Sequence, residues 1–289
     1  MNKNVISFLN MKGGVGKTTL CKEMSFFLSS ASKKKVLVID IDPQSNCTQS
    51  VFEKYNTIKI DKNGIIKERL NVPSINNIFS TSNGNLQNVD LESVIYKPTE
   101  YLHIIPGELD TIFMERETGT GSSEQKLINF IDEFKLKEIY DYIFIDCPPT
   151  YSFYTVSALL ASDFYFVPLK PDAYSLLGLD LLERVVSDLR KSYRTNFTNK
   201  PIKNLGVVFT MLGGYAFKGY ERNKIQIEES FKENDIYFFN NIFPRFDKLS
   251  TGKLETFILD RDDNDLIGKL ELICDEFEER VRHLNEGKS

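Results

Sequence analysis

The apolar positions of this chain fall into short runs that are apolar at nearly every residue rather than at every second one. Val5 to Leu9, Val36 to Ile39, Tyr142 to Ile145, Phe164 to Leu169 and Leu205 to Met211 are such runs. A strand with one wet face alternates, whereas one covered on both faces does not, so these runs predict buried parallel strands. Leu102 to Gly107 predicts a further strand ending at Pro106, and Tyr237 to Phe243 is strand-like. Between them, apolar residues return at helical spacing: Leu20, Met24, Phe27 and Leu28, then Leu127 to Ile139, Val156 to Ala161, Leu176 to Arg190 and Ile225 to Phe231. A long terminal helix is predicted from about Asp265 to Leu284. This alternation predicts an α/β fold, doubly wound, with a mostly parallel sheet and helices on both faces. No break in composition divides it, so residues 1–289 read as a single domain. The pattern fades from Val51 to Ser123, where turns are expected at Asp61–Gly64 and Ser82–Asn85 and a flexible loop at Glu117–Ser123.

The first run leads directly into glycines. Met11-Lys12-Gly13-Gly14-Val15-Gly16-Lys17-Thr18-Thr19 follows Val5 to Asn10 and precedes a helical pattern. Strand, glycine loop and helix in that order form a phosphate cradle. Glycines let the backbone aim its N–H groups inward, and the helix adds the positive end of its dipole. Lys17 is placed to reach β- and γ-phosphates, and the Thr18 hydroxyl to ligate Mg²⁺. The usual form is G-x-x-x-x-G-K-[ST]; here Met11 stands where the first glycine belongs, and a second lysine, Lys12, sits within the loop.

Two other strand runs end in acid. Val36 to Ile39 closes on Asp40-Ile41-Asp42-Pro43-Gln44, and Tyr142 to Ile145 closes on Asp146-Cys147-Pro148-Pro149. In a doubly wound sheet the carboxyl ends of the strands share the edge where ligands bind. An aspartate there is often only a turn former or a helix cap. Two such elements converging with a phosphate loop make a nucleoside triphosphate site the better reading, with Asp146 as the acid that holds Mg²⁺.

The bulk properties restrict the partners. Lys and Arg total 36 against 41 Asp and Glu, a net charge of −5, so any polyanion must be held by a local basic patch. No apolar run approaches the ~18 residues of a membrane span, and the N-terminus lacks a signal-peptide pattern. The four cysteines show no paired spacing, which predicts reduced thiols and a cytoplasmic protein, and with only two histidines a His-based metal site is not expected.

The loop Lys12 to Thr19, with Asp40–Gln44 and Asp146–Pro149 in the same order, resembles the ParA/MinD family of deviant Walker A ATPases. Thr210-Met211 and Ile242 to Ser250 around Pro244-Arg245 resemble the plasmid and chromosome partition members, the Soj-like ParA proteins. The resemblance runs from about Val5 to Lys253. It implies a P-loop NTPase fold, ATP and Mg²⁺ as cofactors, and roles by position. Lys12, Gly13, Gly14, Val15, Gly16, Lys17, Thr18 and Thr19 bind the nucleotide, with Pro244 by the adenine. Thr18, Asp146 and Asp40 serve the metal, and Asp42 positions the attacking water. Lys12 is the lysine that reaches across a dimer to the partner's nucleotide.

The same resemblance implies an ATP-dependent homodimer that binds DNA nonspecifically, associates with the nucleoid, and is stimulated to hydrolyse ATP by a ParB-like centromere-binding protein. Among the basic residues of the second half, Arg190, Lys191, Arg222 and Lys224 are candidate phosphate contacts. The alternative is a MinD-like membrane-cycling ATPase, which needs a basic amphipathic C-terminal helix. Here Leu270 to Leu284 is acidic, so membrane binding is not expected. A third class, electron transfer through a cluster held between subunits, lacks the cysteine spacing it needs.

Overall fold

A computed structural model describes residues 4–55, 57–60, 66–69, 73–80, 89–108, 121–172, 174–198, 200–212, 217–234, 236–244 and 256–287. Seven parallel strands form the main sheet: β1 (Val5–Phe8), β2 (Val36–Asp40), β5 (Leu102–Ile105), β6 (Tyr142–Asp146), β7 (Phe164–Leu169), β8 (Lys203–Leu212) and β9 (Phe243–Pro244), in the order β5-β2-β6-β1-β7-β8-β9. A separate antiparallel hairpin pairs β3 (Ile58–Ile60) with β4 (Ile66–Arg69). The longer helices are α1 (Lys17–Ser30), α2 (Asn46–Lys54), α3 (Lys126–Glu133), α4 (Phe153–Ala161), α5 (Ser175–Ser192), α6 (Phe217–Ser230) and α7 (Asn264–Asn285).

The strands are apolar throughout because both faces are covered. β1, β2, β6 and β7 are buried at every position. Two apolar clusters flank the sheet. One gathers α3, α4 and α5 around Val5, Ile39, Ile145 and Val167. The other gathers α1 and α7 around Ile6, Val38, Phe144 and Phe166. Alternate residues of one strand thus serve opposite cores. In the second cluster Phe277 of α7 meets Phe144 and Phe166 at ring centroid distances of 5.4 and 5.9 Å.

The order of the strands places the functional edge. After β1 the chain passes over to β2, leaving a gap that β6 later fills, and after β6 it crosses to β7 on the other side of β1. That reversal opens a crevice beyond the carboxyl ends of β1 and β6. Register keeps the strand ends level: Phe8 is opposite Asp146, and Asp146 is opposite Asp40.

The expected elements are present, with four differences. The helix expected over Leu127–Ile139 breaks at Lys135, whose φ of 50° ends α3 before a short turn, Leu136–Ile139. Of the flexible loop expected at Glu117–Ser123, residues 117–120 lie outside the described residues and the remainder begins a short helix, Gly121–Glu124. Tyr237 to Phe243 contributes one isolated bridge, Val207 to Phe238, and then β9, so it is mainly a packed irregular segment. Helix α2 and the β3–β4 hairpin have no counterpart among the expected elements. The turns expected at Asp61–Gly64 and Ser82–Asn85 lie outside the described residues.

Helix α1 carries a buried carboxylate, Glu23, that accepts the backbone N–H of Ile258 at 2.8 Å and so ties the approach to α7 onto the helix of the phosphate loop. Burial raises the Glu23 carboxyl to about 7, against the opposing charges of Lys22 and Arg261 and the Ile258 N–H; Asp260 adds to the rise. In the unfolded chain a glutamate titrates near 4.3. The folded state therefore keeps the proton over the interval between, and the stability this proton brings is lost as pH rises through about 7. Glu23→Gln, which mimics the protonated acid, is expected to exceed wild type in stability at pH 8 by on the order of 2–3 kcal/mol. In urea denaturation that gap should shrink toward zero near pH 4.5; a gap that widens on acidification contradicts the assignment.

Candidate nucleotide site at the carboxyl edge of the sheet

The loop after β1 is shaped by two glycines with left-handed backbone, Gly14 at φ 70° and Gly16 at φ 88°, the latter capping α1. Side chains with a Cβ are strained in that region, which is why glycine stands there. Neighbouring strands brace the loop. Asn10 Nδ2 donates to the Pro168 carbonyl at 2.8 Å, Lys12 N donates to Asn10 Oδ1 at 2.9 Å, and Thr210 Oγ1 donates to the Val15 carbonyl at 2.6 Å. A Cβ on Gly16 would lie 3.8 Å from Met211 Cε, so the end of β8 forms the wall beside the helix start.

Lys17, the first residue of α1, is buried at 6% exposure, and its ammonium donates to the Lys12 carbonyl across the loop at 3.3 Å. Burial lowers its pKa, opposed by the charges of Asp146, Cys147 and Asp42. Lys12 points elsewhere. Its ammonium forms an ion pair with Asp172, in the turn after β7, and lies 5.9 Å from the centre of the Tyr174 ring. Asp172 is fixed in turn by the Tyr174 N–H at 3.1 Å and the Ser175 hydroxyl at 3.0 Å.

The acids fill the base of the crevice. Asp40 and Asp146 are both wholly buried. Asp40 Oδ2 accepts from Thr48 N and Oγ1 at 2.8 and 2.7 Å, and Thr48 Oγ1 accepts the Gly107 N–H at 2.9 Å. Burial raises Asp40 to about 7; Thr48 opposes the rise and Asp42 adds to it. Asp146 is pushed well above the carboxylate range by burial and by the charge of Asp40, with the Thr18 hydroxyl and the Lys17 ammonium opposing. Asp42, also buried, turns its Oδ1 to the Gln44 N–H at 2.9 Å and its carbonyl to Ser45 N at 2.8 Å.

These residues fit a hard divalent cation. Asp40 Oδ1 and both oxygens of Asp146 are buried without a well-formed hydrogen bond, and the Thr18 hydroxyl stands beside Asp146. All the donors are oxygen, and they are few, as suits Mg²⁺, which keeps waters and takes phosphate oxygens for the remainder. Among the described residues no group of three or more His, Cys, Asp and Glu has metal-binding geometry, so a closed protein cage is absent there. All four cysteines are buried free thiols; Cys147 packs with Sγ 3.7 Å from the Ile145 carbonyl.

The structure therefore brings Lys12 to Thr19, Asp40, Asp42 and Asp146 to one edge, and Pro244 to the neighbouring strand end, where it pairs with Leu212. The DNA candidates are dispersed. Arg190 is half-buried and donates to the Ile202 carbonyl, and Lys224 pairs with Glu228 at 3.3 Å. Lys191, paired with Asp188 at 3.0 Å, and Arg222 are exposed. Several site residues went unnoticed in the sequence. Thr48 lies on the unexpected α2. Asp172 follows a Lys-Pro pair like any turn aspartate. Gly107 reveals itself only through close packing.

A family model described as an AAA domain, AAA_31, matches residues 3–199. The sporulation initiation inhibitor protein Soj of Bacillus subtilis is 31% identical over 252 residues, covering 85% of this chain and 86% of that protein. The chain belongs to the ParA/Soj family of partition ATPases. The chromosome partitioning protein ParA of Caulobacter vibrioides is 28% identical, covering 83% of this chain and 78% of that protein. Among solved structures, a putative plasmid partition protein of Borrelia burgdorferi bound to AMPPNP superposes with a TM-score of 0.68 at 25% identity, covering 97% of this chain and 100% of that one. The P-loop NTPase architecture of the ParA/Soj family is thus the one described above.

Gly107 tests the tightness of the acidic pocket. A Cβ there would come within 2.8 Å of the Asp40 carbonyl and 2.9 Å of Ser45 Oγ. Gly107→Ala is expected to cost roughly 1–3 kcal/mol in a thermal or urea melt by overpacking. Wild-type stability in that variant would show that the pocket is looser than described.

Proposed function

We propose that the protein is a partition-type ATPase that uses Mg²⁺·ATP to drive dimerisation and nonspecific DNA binding, with slow hydrolysis stimulated by a ParB-like partner. The observation that carries this reading is the meeting of the loop Lys12–Thr19 with Asp40, Asp42 and Asp146 at one strand edge. In it Lys17 and the backbone N–H groups of Gly13 to Thr19 hold the phosphates. Thr18 and Asp146, with Asp40 behind them, hold Mg²⁺, which supplies charge neutralisation to the phosphates when bound. Asp42 orients the attacking water. Phosphoryl transfer asks for positioning and compensation of charge rather than covalent chemistry, and these residues offer both.

Lys12 serves the other subunit. It is not engaged with its own loop's interior but is held by Asp172 at the rim. Next to it lies an exposed apolar stripe: Tyr174 at 72% exposure, then Leu177 and Leu181 one and two turns along α5. A second subunit docking there covers that stripe and receives Lys12 at its nucleotide. Lys12 leaves Asp172 to do so, which links nucleotide occupancy to dimerisation. Lys191 and Arg222, both exposed, are the better placed of the four DNA candidates; Arg190 is half-buried on the Ile202 carbonyl and Lys224 is half-buried beside Glu228.

Membrane cycling is disfavoured by α7. Its apolar residues Leu266, Leu270, Ile273, Phe277, Val281 and Leu284 face the core, which leaves its outer face to acids such as Glu271, Asp275 and Glu279. No helix among the described residues is long and apolar enough to cross a membrane.

Paired variants test the reading. Lys17→Ala should lose roughly a hundredfold in ATP affinity, as when a buried charge loses its partner. Lys12→Ala should bind ATP as wild type yet remain monomeric by light scattering and fail to bind DNA with ATP. Wild-type DNA binding should require ATP and weaken steeply with salt. Nucleotide-independent DNA binding, or ATP affinity unchanged in Lys17→Ala, would sink the proposal.

A further inference from the structure

One carboxylate far from the phosphate loop gathers five hydrogen bonds. Glu276, on α7 and 8% exposed, accepts with Oε1 from the Tyr237 hydroxyl at 2.8 Å, from Asn240 N at 2.7 Å and from Asn240 Nδ2 at 3.2 Å. Its Oε2 accepts from Asn241 N at 3.0 Å and Asn241 Nδ2 at 2.7 Å. All five partners are donors, which suits the acceptor oxygens of a carboxylate; an amide in its place would turn its own N–H groups against donors.

The segment so held, Ile236 to Ile242, lacks a ladder of its own. It joins β8 through Val207 N to the Tyr237 carbonyl and Phe239 N to the Val207 carbonyl, both at 2.8 Å. The Phe239 ring lies against Gly206, where a Cβ would approach to 2.6 Å, and the Arg280 guanidinium stands 4.5 Å from the centre of the Tyr237 ring. From Asn241 the chain runs immediately into Phe243 and Pro244, paired with Thr210 and Leu212 at the carboxyl end of β8. That strand end is already the wall of the phosphate loop, through Thr210 to Val15 and Met211 to Gly16. Whatever extends sideways from phosphates in the loop toward β9 meets a surface whose position is set two residues earlier by Glu276. For a nucleotide, the part that extends from the phosphates is the nucleoside.

We propose that Glu276 is a positioning residue for nucleoside recognition: its clamp on Asn240 and Asn241 sets the β9 wall against which the base of the bound nucleotide packs. This rests on the reading that Pro244 lies by the base. The clamp acts on the nucleoside end, because the phosphate loop has braces of its own, from Asn10 to the Pro168 carbonyl on β7 and from Thr210 on β8 to the Val15 carbonyl. Without it the segment must be ordered at the time of binding, and that cost falls on the base contacts alone.

The experiment compares Mg²⁺·ATP with Mg²⁺·tripolyphosphate, which carries the phosphates without a nucleoside. Both are titrated by calorimetry into wild type, Glu276→Ala, Glu276→Gln and the loop-side double variant Asn240→Ala/Asn241→Ala. Wild type is expected to prefer ATP. Glu276→Ala should lose about tenfold in ATP affinity with tripolyphosphate binding unchanged, and Glu276→Gln and the double variant, which removes only the two side-chain amide bonds, should fall between. The double variant leaves α7 intact and stands in should Glu276→Ala fail to fold. Equal losses for the two ligands, or a wild-type preference for ATP retained in the variants, would overturn the role of Glu276. A wild type that binds tripolyphosphate as tightly as ATP would instead overturn the placement of Pro244 by the base, and this inference with it.

Discussion

Two carboxylates side by side, out of water, are the constraint around which the site is built. Parallel pairing of β2 with β6 sets Asp40 level with Asp146, and both are wholly buried. Burial pushes both above the carboxylate range; the charge of Asp42 adds at Asp40, and that of Asp40 adds at Asp146, where the desolvated Lys17 ammonium opposes it. Such a pair is costly unless compensated. The fold compensates Asp40 in part through Thr48, whose hydroxyl is in turn supplied by Gly107 at the end of β5. Asp146 keeps both oxygens for something else. In the proposed function a divalent ion with a triphosphate answers that need, since it would bring positive charge to the acids and be satisfied in turn by phosphate oxygens.

The sheet order serves the same end. β6 lies between β2 and β1, so the two acids and the phosphate loop sit on three adjacent strands at one edge. The two faces of the sheet then divide the labour. On one, α3, α4 and α5 build a core and present Asp172 and Tyr174 to Lys12. On the other, α7 both closes the core with Phe277 and reaches back through Glu276 to the β8–β9 segment. One helix thus fills both roles.

Much of this was legible in the chain. Most main-sheet strands buried on both faces announced themselves as nearly unbroken apolar runs, because no alternation survives when both sides are dry. The convergence of the loop Lys12–Thr19 with Asp40, Asp42 and Asp146 was legible because the carboxyl ends of parallel strands share one edge. What escaped was set by tertiary contact. α2 is short and mixes Cys47, Thr48 and Ser50 with Val51 and Phe52 on its buried side, so it carries little helical periodicity. Tyr237 to Phe243 is apolar and aromatic like a strand, yet its residues are fixed by a glutamate far along the chain rather than by a full ladder. Arg190 looked like surface charge at the end of a helix, but folding brings the Ile202 carbonyl within its reach. Partners distant in sequence leave no local trace.

The central claim is that the buried pair Asp40 and Asp146 is completed by a metal-bound triphosphate. Calorimetric titration of ATP into wild type and Asp146→Asn, each with Mg²⁺ and with EDTA, addresses it directly. The account predicts wild-type affinity that depends strongly on Mg²⁺, and an Asp146→Asn protein in which that dependence collapses while metal-free affinity is equal or higher. Wild-type protein that binds ATP equally well with Mg²⁺ and with EDTA would contradict it.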